Sequence, residues 1–264
     1  MVFLRVNLFF SIFLFIILFL VGLFSVEIYS TRIIDHNKYL MSIFGISIFI
    51  LLFFVRKCNV TDNSVKSMQA TDIDMKNLRS CKRCNRLKPE RSHHCSTCRK
   101  CIKKMDHHCI WLNNCIGNDN LAYFIRLCFF GSSISIFCFF YSIYLFSHEE
   151  FFDSFFVSCS IRISVMFFFI LSCLLTYFFI FHFKGILKNL TFLERENVRE
   201  ILEKGFSCDE SPYDLGVFAN LDTLMGKFYF LYFYGESSNG ITFKKKYYIK
   251  EWPPYRHGSL LNMY

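Results

Sequence analysis

A chain of 264 residues that is 53% hydrophobic and 20% aromatic is too apolar for an ordinary soluble domain of that size, so a membrane protein is the first reading. Thirty Lys and Arg against 21 Asp and Glu give a net charge of +9, which by itself suits nucleic acid, an anionic lipid surface or a phosphate-rich ligand, and only the distribution of that charge can decide. Thirteen cysteines would allow disulfides, yet seven lie between residues 81 and 115 beside four histidines, a mixture that points to metal and a reducing compartment.

Four apolar runs approach the roughly 20 residues that carry a helix across about 30 Å of hydrocarbon. The first runs from Leu8 to Val26 and the second from Tyr39 to Val55, with a short link that includes Ser30 to Lys38. The first run is read as a retained anchor, because it is long for a signal peptide and lacks a strongly basic start and a small-residue cleavage site. The third runs from Tyr123 to Phe146 and the fourth from Ile163 to Phe183, joined by a link carrying His148, Glu149, Glu150 and Asp153. The fold class expected is an α-helical polytopic membrane protein, two helical hairpins with a cysteine-rich domain between the second and third spans. Residues 1–56 then hold spans one and two, 57–122 the cysteine-rich domain, 123–183 spans three and four, and 184–264 a tail.

Charge orients the spans. Residues 56–122 hold 14 Lys and Arg against 6 Asp and Glu, whereas the first link offers only Arg32 and Lys38 and the second only Arg162. Lys and Arg near span ends stay cytosolic, so the central loop and both termini are expected in the cytosol and the two links in the lumen. The second run is short, which fits the thinner membranes of the endoplasmic reticulum or Golgi. Arg126 and Arg162, near span ends, are expected to snorkel to the interface. Gly131, Ser132, Ser133 and Ser135 in the third span suggest close helix packing, with the lining of an acyl-sized cavity as the alternative. In the tail, the aromatic stretch Phe228–Tyr234 is too short to span and suits the interface, and Lys244–Lys246 reads as a solvated or lipid-touching charge run. Cys58, Cys128, Cys138, Cys159, Cys173 and Cys208 fall outside the cysteine-rich segment and are read as packing residues, with self-acylation near the membrane the alternative for Cys58. No internal repeat is evident.

The chemistry concentrates in the central loop: Cys81-Lys-Arg-Cys84, then His93-His94-Cys95-Ser-Thr-Cys98-Arg-Lys-Cys101, then Asp106-His107-His108-Cys109, then Cys115. Cys-x2-Cys is the spacing at which two thiolates turn onto one zinc, and it occurs at Cys81/Cys84 and at Cys95/Cys98. Seven cysteines and four histidines are more than the eight ligands that two closed zinc sites consume, and a nucleophile is to be sought in the surplus. In an extended segment alternate residues share a side, so His107 and Cys109 can face each other while His108 turns to metal. Histidine beside cysteine favours the thiolate, and Asp106 can orient the imidazole. Spacing alone leaves other pairings open. A purely structural zinc fold serving as a nucleic-acid or protein adaptor is the rival reading; a transporter would want ionisable groups deep in the spans, and these offer very few.

At these residues the sequence resembles the DHHC protein S-acyltransferases (palmitoyltransferases), through Cys81-x2-Cys84-x9-His94-Cys95-x2-Cys98-x2-Cys101-x4-Asp106-His107-His108-Cys109-x5-Cys115-x4-Asn120 and the run Trp111-Leu-Asn-Asn114-Cys115-Ile-Gly117. Ser211-Pro-Tyr213-Asp214-Leu215-Gly216 to Asn220 is similar to the C-terminal Asn-Pro-Tyr-Asp-Leu-Gly motif of that family, with Ser211 in place of Asn. Thr191-Phe192-Leu193-Glu194 is similar to its Thr-Thr-x-Glu, with Phe192 departing, and no Asp-Pro-Gly follows the second span. The resemblance implies a ping-pong transfer of a long acyl group from acyl-CoA through a Cys109 thioester, with His107 as base and Asp106 polarising it. It also implies two structural zinc ions, one held by Cys81, Cys84, His94 and Cys101, the other by Cys95, Cys98, His108 and Cys115. Palmitoyl-CoA would be the co-substrate, and cytosolic or membrane-associated proteins with acceptor cysteines, the lipid bilayer and an accessory subunit the partners, with no nucleic acid. His93 receives no role.

Overall fold

The computed structural model describes residues 22, 34–66, 79–148, 155–226, 229–230, 238–248 and 252–253. The chain forms two compact units: residues 1–56, 110–113 and 126–180 make the first, and residues 57–109, 114–125 and 181–264 the second.

Three described helices are long and apolar enough to cross a membrane. They are α1 (Ile34–Val60), apolar over Ser42–Val60, α2 (Leu121–Ser147) and α3 (Phe155–Leu187), with mean hydropathies of 1.9, 1.7 and 2.4. They match the second, third and fourth expected runs, while the first, Leu8–Val26, falls outside the described residues apart from the helical Gly22. The helices overrun the apolar runs. α1 is already helical at Ile34, inside the expected first link, and α3 begins at Phe155, which puts Arg162 in a helix rather than in the second link. Backbone hydrogen bonding does not stop where hydropathy does, and neither segment holds a proline or glycine that would break it.

Within the first unit, Phe44, Cys138 and Phe168 form a buried cluster, and Phe54 stacks on Phe130. A Cβ on Gly131 would lie 3.2 Å from Leu175 Cδ1, and Ser132 Oγ is 3.0 Å from Thr176 Oγ1, so these two small residues serve close packing. Ser133 and Ser135 instead bond back to their own helix, at Phe129 and Gly131 oxygens. Only 17% of the α3 span is buried within the protein, and rings such as Phe169 and Tyr177 stand exposed, an arrangement suited to a lipid solvent. Arg126 departs from expectation: it does not snorkel but is fully enclosed by protein.

The second unit is built on three antiparallel hairpins of three-residue strands. β1 (Arg79–Cys81) pairs with β2 (Arg86–Lys88), β3 (His93–Cys95) with β4 (Lys100–Ile102), and β5 (His107–Cys109) with β6 (Asn114–Ile116). These hairpins are a repeat. Corresponding strands recur at 14-residue intervals, and so do the left-handed turn residues Asn85, Arg99 and Asn113. The expectation of no internal repeat is therefore corrected. The unit is too short and too degenerate to stand out in sequence, because only cysteine, histidine and one turn residue have to recur.

Strands this short supply little core, and the hairpins are joined to their neighbours by directional bonds. Asn114 Nδ2 donates to the carbonyls of Cys58, Asn59 and Thr61, filling acceptors that the last turn of α1 leaves open. Asn120 Nδ2 donates to the Cys58 and Cys115 carbonyls, and Gly117 must lack a side chain because a Cβ there would sit 2.6 Å from the Lys103 oxygen. Helix α4 (Phe192–Glu203) starts in a capping box of Thr191 and Glu194. Helix α5 (Val217–Met225) follows Gly216, whose φ of 96° favours glycine. Asn220 locks that turn, donating to the Leu187 carbonyl and Asp214 and accepting from the Leu215 N–H.

Candidate functional site

The hairpin register gathers the cysteines and histidines. His94 lies directly across from Cys101, and His108 from Cys115, so each of the second and third hairpins presents a cross-strand His–Cys pair. The preceding hairpin supplies a Cys-x2-Cys knuckle to each pair. Cys81, Cys84, His94 and Cys101 form one group, and Cys95, Cys98, His108 and Cys115 a second; within each, the ligand atoms lie within 4.8 Å of one another. His94 Nδ1 is 3.1 Å from Cys84 Sγ and 3.6 Å from Cys81 Sγ, and His108 Nδ1 is 3.4 Å from Cys98 Sγ and 3.5 Å from Cys115 Sγ. Three thiols and one imidazole converging from a knuckle and a strand pair are a donor set that fits tetrahedral zinc.

The same repeat separates Cys109 from both groups. Cys109 stands 14 residues after Cys95, as Cys95 stands after Cys81, and so begins a third knuckle. The matching second position is Leu112, where the other two hairpins carry Cys84 and Cys98. Cys109 belongs to neither metal group, and its neighbour on the same side of β5 is His107.

His107 Nδ1 is 2.8 Å from Asp106 Oδ2, and its ring also hydrogen-bonds Cys109. Burial works to lower the pKa of His107, but the bonds to Asp106 and Cys109 outweigh it and push it up to about 9. Burial works the other way on Asp106, and there the bonds from His107 and His182 prevail, holding the carboxyl well below the usual carboxylate range. The second Asp106 oxygen, Oδ1, accepts the Phe192 N–H at 2.8 Å. Thus Phe192, which departs from the Thr-Thr-x-Glu pattern, contributes through its backbone, and its side chain packs on the cluster of Cys95, Ile102, Met105, Cys115 and Leu193.

Sequence reasoning missed three residues here. Arg91 is fully buried and binds Glu194 through both Nε, at 2.6 Å, and Nη2, at 2.7 Å; it also donates to Asn189 and lies over the Tyr213 ring. Lys104 donates to Asn189 Oδ1 at 2.9 Å, and burial, then the charge of Arg91, push its pKa down to about 7. His182 places Nδ1 3.3 Å from Asp106 Oδ2. A histidine inside an apolar run was the available signal for the last; the partners of the first two lie too far along the chain to leave a local pattern. His93 is buried on β3 across from Ile102.

One tail expectation changes. Lys245 pairs with Glu90 and approaches the Tyr213 ring, so Lys244–Lys246 is not simply a solvated run. Ser211 takes the place of Asn but still accepts the Tyr213 N–H, and the Tyr213 hydroxyl reaches Glu90. Cys58 is fully buried, so its own thiol is not exposed for self-acylation. Of Phe228–Tyr234 only Tyr229 and Phe230 fall among the described residues.

No curated protein matches the chain. Residues 74–199 match the family model of the DHHC palmitoyltransferases, a span that takes in all three hairpins, the Asp106–Cys109 run and the first turns of α4. A domain of that kind carries protein palmitoyltransferase activity as its class of function, and the three apolar helices make this a membrane protein. This match over residues 74–199 supports placing the chain with the DHHC-type S-acyltransferases.

Proposed function

We propose that this protein transfers palmitoyl or a similar long acyl group from acyl-CoA to protein cysteines by a ping-pong route through an acyl-Cys109 thioester. The observation that carries the reading is that Cys109 stands outside both metal groups while bonded to His107, itself bonded to Asp106. Asp106 orients His107, and His107 takes the thiol proton of Cys109 as its sulfur attacks. Cys109 Sγ attacks the acyl-CoA carbonyl, the carbon–sulfur bond to CoA breaks, and the CoA thiolate takes the proton held by His107. In the second half, a substrate thiol gives its proton to His107 and attacks the thioester, and Cys109 leaves as the thiolate. Cys81, Cys84, His94 and Cys101 would hold one zinc and Cys95, Cys98, His108 and Cys115 the other, each supplying closed structural coordination that fixes the hairpins.

The excess of Lys and Arg in residues 56–122 supports a cytosolic site beside the membrane, able to attract the CoA phosphates. On this reading the chain has four spans with both termini cytosolic, divided at residues 56, 122 and 183, in the endoplasmic reticulum or Golgi. Its partners are substrate proteins and the bilayer, with an accessory subunit the further candidate.

The test is in-gel labelling of the purified protein with alkyne-tagged palmitoyl-CoA. Wild type is expected to carry a label removed by neutral hydroxylamine, and Cys109→Ser none. A folded, zinc-loaded wild type that stays unlabelled, or a variant that labels equally, sinks the proposal.

A further inference from the structure

We infer that His182 is a positioning residue for acyl transfer: a second imidazole that, with His107, clamps one oxygen of Asp106 and thereby fixes the plane in which His107 meets Cys109. The inference rests on the acyltransferase reading. Three observations carry it. First, His182 is out of place by composition: α3 has a mean hydropathy of 2.4, yet it buries an imidazole at 8% exposure near its end. An ionisable group in such a segment needs a partner. Second, that partner is Asp106 Oδ2, which His182 Nδ1 approaches to 3.3 Å and His107 Nδ1 to 2.8 Å, while Oδ1 is held by the Phe192 N–H. Three donors from three different elements therefore fix a carboxylate that one bond to His107 would leave free to swing. Third, the His182 ring is itself held, edge-on to Phe124 at 5.1 Å and to Phe181 at 5.2 Å, and tilted 35° to His107 at 5.3 Å.

The same three side chains lie close enough to grip a metal. Their donors, however, converge on one oxygen at hydrogen-bond distance and the other oxygen faces a backbone N–H, the arrangement of a carboxylate that is oriented rather than a ligand that is shared. A histidine merely filling space could be replaced by any ring. A positioning histidine needs its Nδ1 donor, which the Asn side-chain amide reproduces and Ala does not.

The experiment is single-turnover acylation of the full chain in lipid nanodiscs, with alkyne-tagged palmitoyl-CoA varied in concentration, for wild type, His182→Ala and His182→Asn, with zinc content measured on each. His182→Ala is expected to lose about tenfold or more in the rate at saturating donor, because a displacement of about 1 Å in a reacting group costs up to about 100-fold. The half-saturating donor concentration and the zinc content should stay at wild-type values, and His182→Asn should recover most of the rate. Equal rates in His182→Ala and wild type, equal losses in Ala and Asn, or a loss confined to half-saturation or zinc overturn the inference. A wild type that does not label at all sinks the acyltransferase reading instead. The inference is then read from iodoacetamide alkylation of Cys109, followed by mass spectrometry of its peptide. His182→Ala should react several-fold more slowly than wild type and His182→Asn, and identical rates overturn it.

Discussion

The three-hairpin module and the long helices reach order by opposite means. The module has strands of three residues around a small apolar cluster of Ile102, Met105 and Leu193, and to this it adds two Cys3His groups and a buried polar network that joins Arg91, Glu194, Asn189 and Lys104. The helices α2 and α3 meet through the hydrogen bond of Ser132 to Thr176, and α1, α2 and α3 pack apolar side chains around Phe44, Cys138 and Phe168. Directional bonds fix atoms to tenths of an ångström and fail abruptly when one partner is lost. Apolar packing in lipid tolerates exchange. The acyl transfer proposed above would need the first kind of order at Cys109.

The contrast predicts a steep gradient of mutational cost, and its top is a candidate metal ligand. Cys98→Ala removes one of four donors in the second group, where a structural zinc would contribute about 10 kcal/mol or more to folding. The expected outcome is loss of zinc, rapid proteolysis of the module and no acylation, read by metal analysis and limited trypsin digestion. A variant that keeps both zinc ions and its protease resistance would show that the hairpins stand without metal.

Next comes the Arg91–Glu194 pair, whose side chains are 0% and 2% exposed. Breaking a buried ion pair leaves the other charge uncompensated and costs about 3–5 kcal/mol. Arg91→Ala is expected to lower the thermal midpoint of the module by many degrees. Arg91→Lys should rescue little of it, because one ammonium cannot replace the bidentate fork and the stacking on Tyr213. Full rescue by Lys would mean that charge alone matters there.

These two tiers differ in how much of them can be read along the chain. The knuckles Cys81/Cys84 and Cys95/Cys98 are legible because the ligands of a turn are close in sequence. Which histidine joins which knuckle comes from a family resemblance, since it depends on a cross-strand register that spacing does not encode. The Arg91–Glu194 pair spans 103 residues, and His182 reaches Asp106 from the end of a different helix, so no local pattern announces either. The three described spans are legible from hydropathy alone, but their ends are not: helix continues from Ile34 and from Phe155 through polar positions that a hydropathy window treats as loop.

A third prediction tests the polar network by pH. Burial depresses Lys104 from 10.5 in the unfolded chain to about 7 in the fold, with Arg91 adding to the effect and Glu194 and Asp106 opposing it. Between these values the unfolded chain binds the extra proton. The penalty for the charged lysine is thus fully present below about pH 7 and fades as pH rises toward 10.5. The stability of wild type should therefore rise relative to Lys104→Met on going from pH 7 to pH 9, by up to about 1.4 kcal/mol per pH unit, read as a rise in thermal midpoint. Parallel curves would show that Lys104 stays charged in the fold across this range, with its pKa not depressed. Taking the difference between the two proteins cancels the titration of the thiols, which both share.

The smallest effect is expected in the helices, and it is the one that most directly tests the contrast. Ser132 Oγ and Thr176 Oγ1 lie 3.0 Å apart between α2 and α3, with Gly131 allowing Leu175 close by. In water, a buried hydroxyl bond of this kind would be expected to matter by about 1 kcal/mol. In a bilayer the separated helices find other hydrogen-bond partners within their own backbones, and measured inter-helix bonds average about 0.6 kcal/mol. Ser135 and Ser133 already bond to carbonyls one turn back, which shows the route open to Ser132 when Thr176 is removed. Thr176→Val, which keeps the shape and deletes the hydroxyl, should consequently leave the midpoint in nanodiscs nearly unchanged and acylation within about threefold, roughly the factor that 0.6 kcal/mol corresponds to. A loss comparable to that of Arg91→Ala would mean that the helices too are held by a few directional bonds, and the division of labour between the two regions would fall.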